Sequence, residues 1–156
     1  MIDIAVPGRG HYCIEHLILD LNGTIALDGK IIRGVKERLI ALSKDVTVIV
    51  VTADTNRNAK KLLKDLPVTV CTIEESQERE QKGGLVREKG EAITVCVGNG
   101  SNDATMLKEA AIGICIVGRE GASSEAMMAA DLVAPSINDA LELFLKPHRM
   151  KASLRR

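Results

Sequence analysis

Residues 14–24 read Ile14-Glu15-His16-Leu17-Ile18-Leu19-Asp20-Leu21-Asn22-Gly23-Thr24. From Ile14 to Leu19 this is an apolar run of strand length that ends on a carboxylate, Asp20, and passes at once into a short polar turn. A mostly continuous apolar run, rather than an alternating one, is what a strand covered on both faces requires. A buried strand that terminates in Asp must find a partner for that charge at the sheet edge or hold it ready for a ligand. The same pattern returns twice. Val46–Val51 runs into Thr52-Ala53-Asp54, and Ile93–Val97 runs into Gly98-Asn99-Gly100-Ser101-Asn102-Asp103. Segments with helical spacing separate the runs: 33–43 (with Val35, Leu39, Ile40 and Leu42), 59–66, 76–89, 102–111, 123–130 and 138–145. Shorter strand-like stretches lie at 68–72, 112–117 and 132–134. The alternation of strand and helix predicts an α/β architecture, a central parallel sheet with helices on both faces. In such a sheet ligands bind beyond the carboxyl ends of the strands, which is where the three polar turns fall.

Composition sets the outer bounds. At 156 residues and 16.8 kDa, with 46% apolar and 27% charged residues, the chain suits one globular domain. The aromatics are Tyr12 and Phe144 alone, so the core is aliphatic and a stacking platform for single-stranded nucleic acid is excluded. Lys plus Arg equals Asp plus Glu, 21 against 21, which gives no global field for nucleic acid or an anionic membrane. No apolar run has the length of a membrane span, and residues 1–6 lack the basic and apolar regions of a signal peptide. Cys13, Cys71, Cys96 and Cys115 show no CxxC spacing and read as reduced core residues of a cytoplasmic protein, not as a disulfide frame or a zinc site. His11, Cys13 and His16 form a local donor cluster, but on a strand His16 points away from the other two, which argues against a metal centre built from those three. Residues 2–6 with Pro7-Gly8-Arg9-Gly10 read as an added strand and turn at the front, and Asp28-Gly29 marks a hairpin. One domain over 1–146 with an N-terminal hairpin is expected. It is followed by a basic tail at 147–156, read as a solvated terminus, since 146–156 holds five basic residues and no acid.

With the three turns in this order, the chain resembles the haloacid dehalogenase (HAD) superfamily. Asp20-Leu21-Asn22-Gly23-Thr24 is similar to its first motif, DxDGT. Thr52 is similar to the hydroxyl residue of the second motif, Lys82 stands where the family lysine falls, and Gly98-Asn99-Gly100-Ser101-Asn102-Asp103 is similar to GDGxND. Residues 112–117 and Ala129-Ala130-Asp131-Leu132-Val133 resemble the same region of the phosphorylation domain of P-type ATPases. The resemblance spans about residues 14 to 146. It implies a Rossmann-like (HAD-like) three-layer sandwich without a cap domain. It also implies a Mg²⁺-dependent phosphatase or phosphoryl-transfer hydrolase working through an aspartyl-phosphate on Asp20. Catalytic roles then fall to Asp20, Asn22, Thr52 and Lys82, and phosphate contacts to Leu21, Asn22, Gly23, Thr52, Ala53 and Lys82. The metal ligands implied are Asp20, Asn22, Asn99 and Asp103, with Asp103 alternatively orienting Lys82.

Two departures bear on activity. The family's general acid–base Asp in the first motif is Asn22 here, and an amide cannot exchange a proton at neutral pH. The first Asp of GDGxND is Asn99, an oxygen donor without charge; Asp54, just past the second strand, is a substitute carboxylate on position alone. Slow turnover is expected. The rival expectation is a catalytically impaired protein of the same fold that binds phosphate or a protein partner. The intervals 20–52 and 52–82 leave no room for a cap, so an open site is expected. A homo-oligomer, dimer or tetramer, could then supply a lid. The expected ligand is a phosphorylated substrate whose identity the sequence does not specify.

Overall fold

The computed structural model describes residues 1–54 and 58–156. The chain enters through an antiparallel hairpin, β1 (Ile2–Val6) and β2 (Gly10–Ile14), and continues into β3 (His16–Asp20). A second, shorter hairpin, β4 (Ala26–Leu27) and β5 (Lys30–Ile31), turns at Asp28 and Gly29, both with positive φ. That is the two-residue hairpin turn expected of an Asp-Gly pair. The remaining elements are α1 (Val35–Leu42), β6 (Thr47–Thr52), α2 (Asn58–Leu63), β7 (Thr69–Thr72), α3 (Glu78–Lys89), β8 (Thr94–Gly98), α4 (Ala104–Glu109), β9 (Ile112–Ile116), α5 (Ser124–Ala129), β10 (Leu132–Ala134), α6 (Ile137–Leu145) and α7 (Pro147–Leu154).

Six strands form one parallel sheet in the order β10-β9-β8-β3-β6-β7. The chain builds outward from β3 through β6 to β7, then crosses to the other side of β3 to lay down β8. The carboxyl end of β3 is therefore the switch point, the place where such sheets leave a crevice. Side chains alternate across the sheet. Leu17 and Leu19 join Val48, Val50, Val95 and Val97 in a core shared with α1, α2, α6 and α7. Ile18 joins Ile49, Val51, Cys96 and Cys115 in a second core under α3, α4 and α5. Two apolar faces and two helical layers give the three-layer sandwich, and among the described residues there is no cap domain. Burial, then the Asp103 charge, raises the Cys96 and Cys115 thiols, Cys115 to about 11; they are apolar packing groups.

The basic tail is corrected. Pro147 ends α6, but its fixed φ also suits the first turn of a helix, and α7 begins there. Met150 is fully buried and Leu154 nearly so, both in the first core with Ile2, Ile4 and Val6 of β1. Lys and Arg take the outer positions, so the composition that reads as a solvated tail is that of an amphipathic helix. The initial hairpin and α7 support each other. Arg156 donates its amide to Pro7 O, and Arg9 reaches Asp131 Oδ1 at 2.5 Å. Among the described residues no helix is long and apolar enough to cross a membrane.

Candidate active site

Three carboxyl strand ends meet at the switch point. Asp20 closes β3 level with Val51 of β6, which places Thr52 one residue further out, and Leu19 is level with Val97, one residue before Gly98. Into this junction α3 sends Lys82, whose residue exposure is only 1%. Its Nζ donates at 2.7 Å to Asp20 Oδ1 and at 2.7 Å to Asp103 Oδ1. A lysine this deep persists only because both carboxylates meet it. The helix can approach closely because residue 83 is glycine, where a Cβ would lie 2.6 Å from Thr105 Cγ2 of α4. Asp103 is held in turn by the amides of Asn99 and Gly100, each donating to Oδ2 at 2.9 Å. Gly98 makes that possible, since a Cβ there would fall 2.5 Å from the Asp103 carboxyl carbon.

Asp20 is held from the other side as well. Thr24 Oγ1 lies 3.1 Å from Asp20 Oδ2 and 3.2 Å from Asn99 Oδ1, so its hydroxyl proton can serve either. Asn99 donates through Nδ2 to Gly121 O at 3.1 Å, and its carbonyl accepts from the Ser123 amide at 2.9 Å. These bonds fasten the loop after β9 over the site. Thr52 Oγ1 accepts from the Asp54 amide at 3.1 Å, which leaves the hydroxyl proton for another acceptor. The resulting cleft, about 510 Å³, is lined by Asp20, Asn22, Thr52, Ala53, Asn99 and Asn102, with the acids Asp54, Glu75, Glu78 and Glu120.

Among the described residues the charge lining this cleft is predominantly negative. Burial, followed by the neighbouring Asp103 charge, raises the Asp20 carboxyl to about 7, although Lys82 and Thr24 pull it down. Burial alone would lower the Lys82 ammonium, but Asp20 and Asp103 outweigh it and the net direction is upward. One buried ammonium thus faces two carboxylates, with more acid at the rim. A divalent cation fits such a place: the oxygens of Asp20, Asn99 and Asn22 line it, and oxygen donors of this type suit Mg²⁺.

The structure brings Asp20, Asn22, Thr52, Ala53, Lys82, Asn99 and Asp103 to one junction, and it gives Gly23, Asp103 and Leu21 hydrogen-bond partners within the protein. The Gly23 amide, expected to face phosphate, donates instead to Ala26 O at 2.8 Å, because Gly23 adopts φ 80° and folds the chain back toward β4. Asp103, expected among the metal ligands, is fully buried with both oxygens engaged by Lys82 and the loop amides. Leu21 is buried, and its carbonyl accepts the Ile25 and Ala26 amides at 3.0 and 2.9 Å. The sequence reading missed Glu75, Glu78 and Glu120. Glu120 was within reach of it: Gly118-Arg119-Glu120-Gly121 follows β9 at its carboxyl end, where the other site loops also lie. His16 is not grouped with His11 and Cys13; Asp3 is, across the first hairpin.

No protein-family model matches the chain. It is 44% identical over 71 residues to the uncharacterized protein MJ0073 of Methanocaldococcus jannaschii, covering 46% of this chain and 76% of that protein. It is 30% identical over 136 residues to a copper-exporting P-type ATPase of Staphylococcus epidermidis, covering 85% of this chain and 16% of the ATPase. Among solved structures, a HAD family hydrolase from Streptomyces avermitilis superposes with a TM-score of 0.70 at 18% identity, over 93% of this chain and 90% of that one. The 3-deoxy-D-manno-octulosonate 8-phosphate phosphatase of Moraxella catarrhalis, solved with magnesium, phosphate and the sugar, gives a TM-score of 0.66 at 16% identity, over 85% and 86%. At these identities the structural likeness is one of fold.

Proposed function

We propose that this chain, which belongs to the haloacid dehalogenase superfamily as a capless member similar to the phosphorylation domain of P-type ATPases, is a slow Mg²⁺-dependent phosphohydrolase that works through an aspartyl-phosphate on Asp20. The observation that carries the reading is the position of Lys82 Nζ, buried beneath the switch-point cleft that Asp20 lines and 2.7 Å from both Asp20 and Asp103. Mg²⁺ held by Asp20, Asn22 and Asn99 would supply the positive charge that lets a phosphate enter an acidic cleft and would polarise the phosphoryl group. A carboxylate oxygen of Asp20 attacks phosphorus. As the new O–P bond forms, the bond to the leaving oxygen breaks and the leaving group departs with that electron pair. Lys82 balances the charge that gathers on Asp20 and the phosphoryl oxygens. Thr52 donates its hydroxyl proton to a phosphoryl oxygen, and Asp103 is a positioning residue that fixes Lys82.

Asn22 is exposed in the cleft and has no proton to give. General acid help is worth about 10² to 10⁴ in rate, roughly 3 to 5 kcal/mol. The favoured substrates are those whose leaving oxygen needs no proton: acyl phosphates, phosphoanhydrides and aryl phosphates. Water then attacks the aspartyl-phosphate without a base, so the second step is the slow one. The four thiols suit a reducing compartment such as the cytoplasm. An uncapped cleft beside the β4–β5 hairpin leaves room for a second copy to cover it, as a dimer or tetramer, which sedimentation would reveal.

The assay is turnover of acetyl phosphate and p-nitrophenyl phosphate at graded Mg²⁺, beside Asp20→Asn. Loss of turnover in the variant and capture of a phosphorylated chain in the parent are the expected results. Equal turnover in both proteins overturns the enzymatic reading. The pair Asn22 and Asn99 favours a second reading, a phosphate-binding or protein-interaction module. Phosphate binding without a phosphorylated intermediate would select it.

A further inference from the structure

The β1–β2 hairpin carries a donor set that phosphoryl chemistry does not use. Asp3 pairs with Cys13 and Ala5 with His11 across the two strands. Strand alternation sends Ile2, Ile4, Val6 and Ile14 to the core and leaves Asp3, His11 and Cys13 together on the outer face. There Asp3 Oδ1 lies 2.9 Å from His11 Nε2 and 3.5 Å from Cys13 Sγ, and Cys13 Sγ lies 3.7 Å from His11 Nδ1. One ligand atom from each falls within 4.8 Å of the other two. In a tetrahedral zinc site, with bonds of about 2.0 Å to nitrogen and oxygen and about 2.3 Å to sulfur, neighbouring donors stand roughly 3.3 to 3.6 Å apart. His11 can offer one of its two nitrogens to a given ion; with one donor atom from each residue the three lie within 4.8 Å of one another, and rotation of these side chains closes the remaining distance to that spacing.

The donor types narrow the choice of ion. A thiolate and an imidazole are poor ligands for Mg²⁺ or Ca²⁺, which take oxygen, and good ones for Zn²⁺ and its neighbours. Both Asp3 and His11 have more than half of their side-chain surface exposed, so an ion can enter directly from solvent. We propose that the outer face of this hairpin binds one Zn²⁺, or a transition-metal ion of similar preference, through Asp3, His11 and Cys13, with the fourth position open to water. The site stands at the amino ends of the sheet, because β2 leads into the start of β3, whereas the Asp20 cleft is at the carboxyl ends. The two metal positions are thus distinct in place and in donor chemistry. An ion here ties β1 to β2 on the face opposite α7, and so braces the part of the core formed by Ile2, Ile4, Met150 and Leu154.

Cobalt titration of the reduced full-length chain tests this directly. The expected result is one Co²⁺ per chain giving a thiolate-to-cobalt charge-transfer band in the near ultraviolet, displaced by Zn²⁺. The band is retained in Asp20→Asn and lost in Cys13→Ser. Asp3→Asn and His11→Ala each weaken binding at least tenfold, and Zn²⁺ raises the melting temperature of the parent but not of Cys13→Ser. Absence of the band, its survival in Cys13→Ser, its loss in Asp20→Asn, or unchanged affinity in both Asp3→Asn and His11→Ala would each overturn the proposal.

Discussion

The unusual protonation of Asp20 makes a measurable demand on stability. Its carboxyl sits at about 7 in the folded chain, against an ordinary value of 3.8. Between those pH values the native state holds a proton that the unfolded state has released. Stability therefore falls as pH rises from about 4 to about 7, and levels off above. The full penalty is roughly 4 kcal/mol, at about 1.4 kcal/mol for each tenfold difference in proton affinity. Between pH 5 and pH 8 the part still to be lost is about 2 to 3 kcal/mol. In Asp20→Asn that contribution is absent, while Oδ1 still accepts from Lys82. For a chain of this size about 1 kcal/mol moves the melting temperature by roughly 2 to 4 °C. Melting curves in chelator should show the variant gaining about 5 to 10 °C on the parent between pH 5 and pH 8. Taking the difference cancels groups that titrate alike in both proteins. Mg²⁺ should reverse the trend, because it binds ionised Asp20: its affinity should climb up to tenfold per pH unit toward 7 and then flatten. Parallel pH profiles for parent and variant would refute the electrostatic account of the site.

Two further perturbations separate the site from the scaffold. Lys82→Met leaves Asp20 and Asp103 facing each other without a cation, and unfolding by urea should show a loss of about 3 to 5 kcal/mol at pH 8, shrinking at pH 5 as Asp20 protonates. Met150→Ala should cost about 2 to 5 kcal/mol, because its side chain is wholly buried beneath the first hairpin; a solvated tail would lose nothing.

The parallel sheet is readable in the sequence because each of its main strands is a short apolar run that ends in a polar turn. Both faces are covered, so no alternation is needed, and hydrophobicity alone marks Ile14–Leu19, Val46–Val51 and Ile93–Val97. Asp20, Thr52 and Asp103 are legible for the same reason: each terminates or follows such a run. What is not legible depends on three-dimensional approach. Nothing local announces that Gly83 brings α3 against α4, or that Gly98 leaves space for Asp103, although both are plain once Cβ positions are considered. Glycine in a helix reads as weakness, whereas here one of them lets Lys82 reach the cleft. The tail fails differently. Pro147 is read as a stop, but the same fixed φ opens a helix, and the choice rests on whether an apolar surface waits for Met150 and Leu154. The hairpin β1–β2 supplies that surface from the other end of the chain. The Asp3–His11–Cys13 grouping escapes for a related reason: it needs the strand register, and local spacing offers His16 in place of Asp3.

The two asparagines at the site are not equivalent, and their reversal to aspartate should show it. Asn22 is exposed, so a carboxylate there keeps its hydration and should leave stability within about 0.5 kcal/mol. On the proposed mechanism it supplies the missing proton donor, so Asn22→Asp should raise turnover by about 10² to 10⁴. Asn99 is buried and uses its amide as an amide. Nδ2 donates to Gly121 O, Oδ1 lies 3.2 Å from the Thr24 hydroxyl, and the backbone on either side holds Asp103 and Ser123. A carboxylate in its place turns an oxygen toward the Gly121 carbonyl. It also adds a third negative charge beside Asp20 and Asp103, against one ammonium. In chelator, Asn99→Asp should therefore destabilise the chain by roughly 2 to 5 kcal/mol. A divalent cation removes the cause of that loss, so Mg²⁺ should restore more stability to Asn99→Asp than it adds to the parent, and should bind it more tightly. Asparagine at 99 is then what allows this site to stay folded without its metal, with weaker metal affinity as the consequence. If Asn99→Asp is as stable as the parent in chelator, or gains no more from Mg²⁺, the residue is a passive replacement and that explanation of the substitution fails.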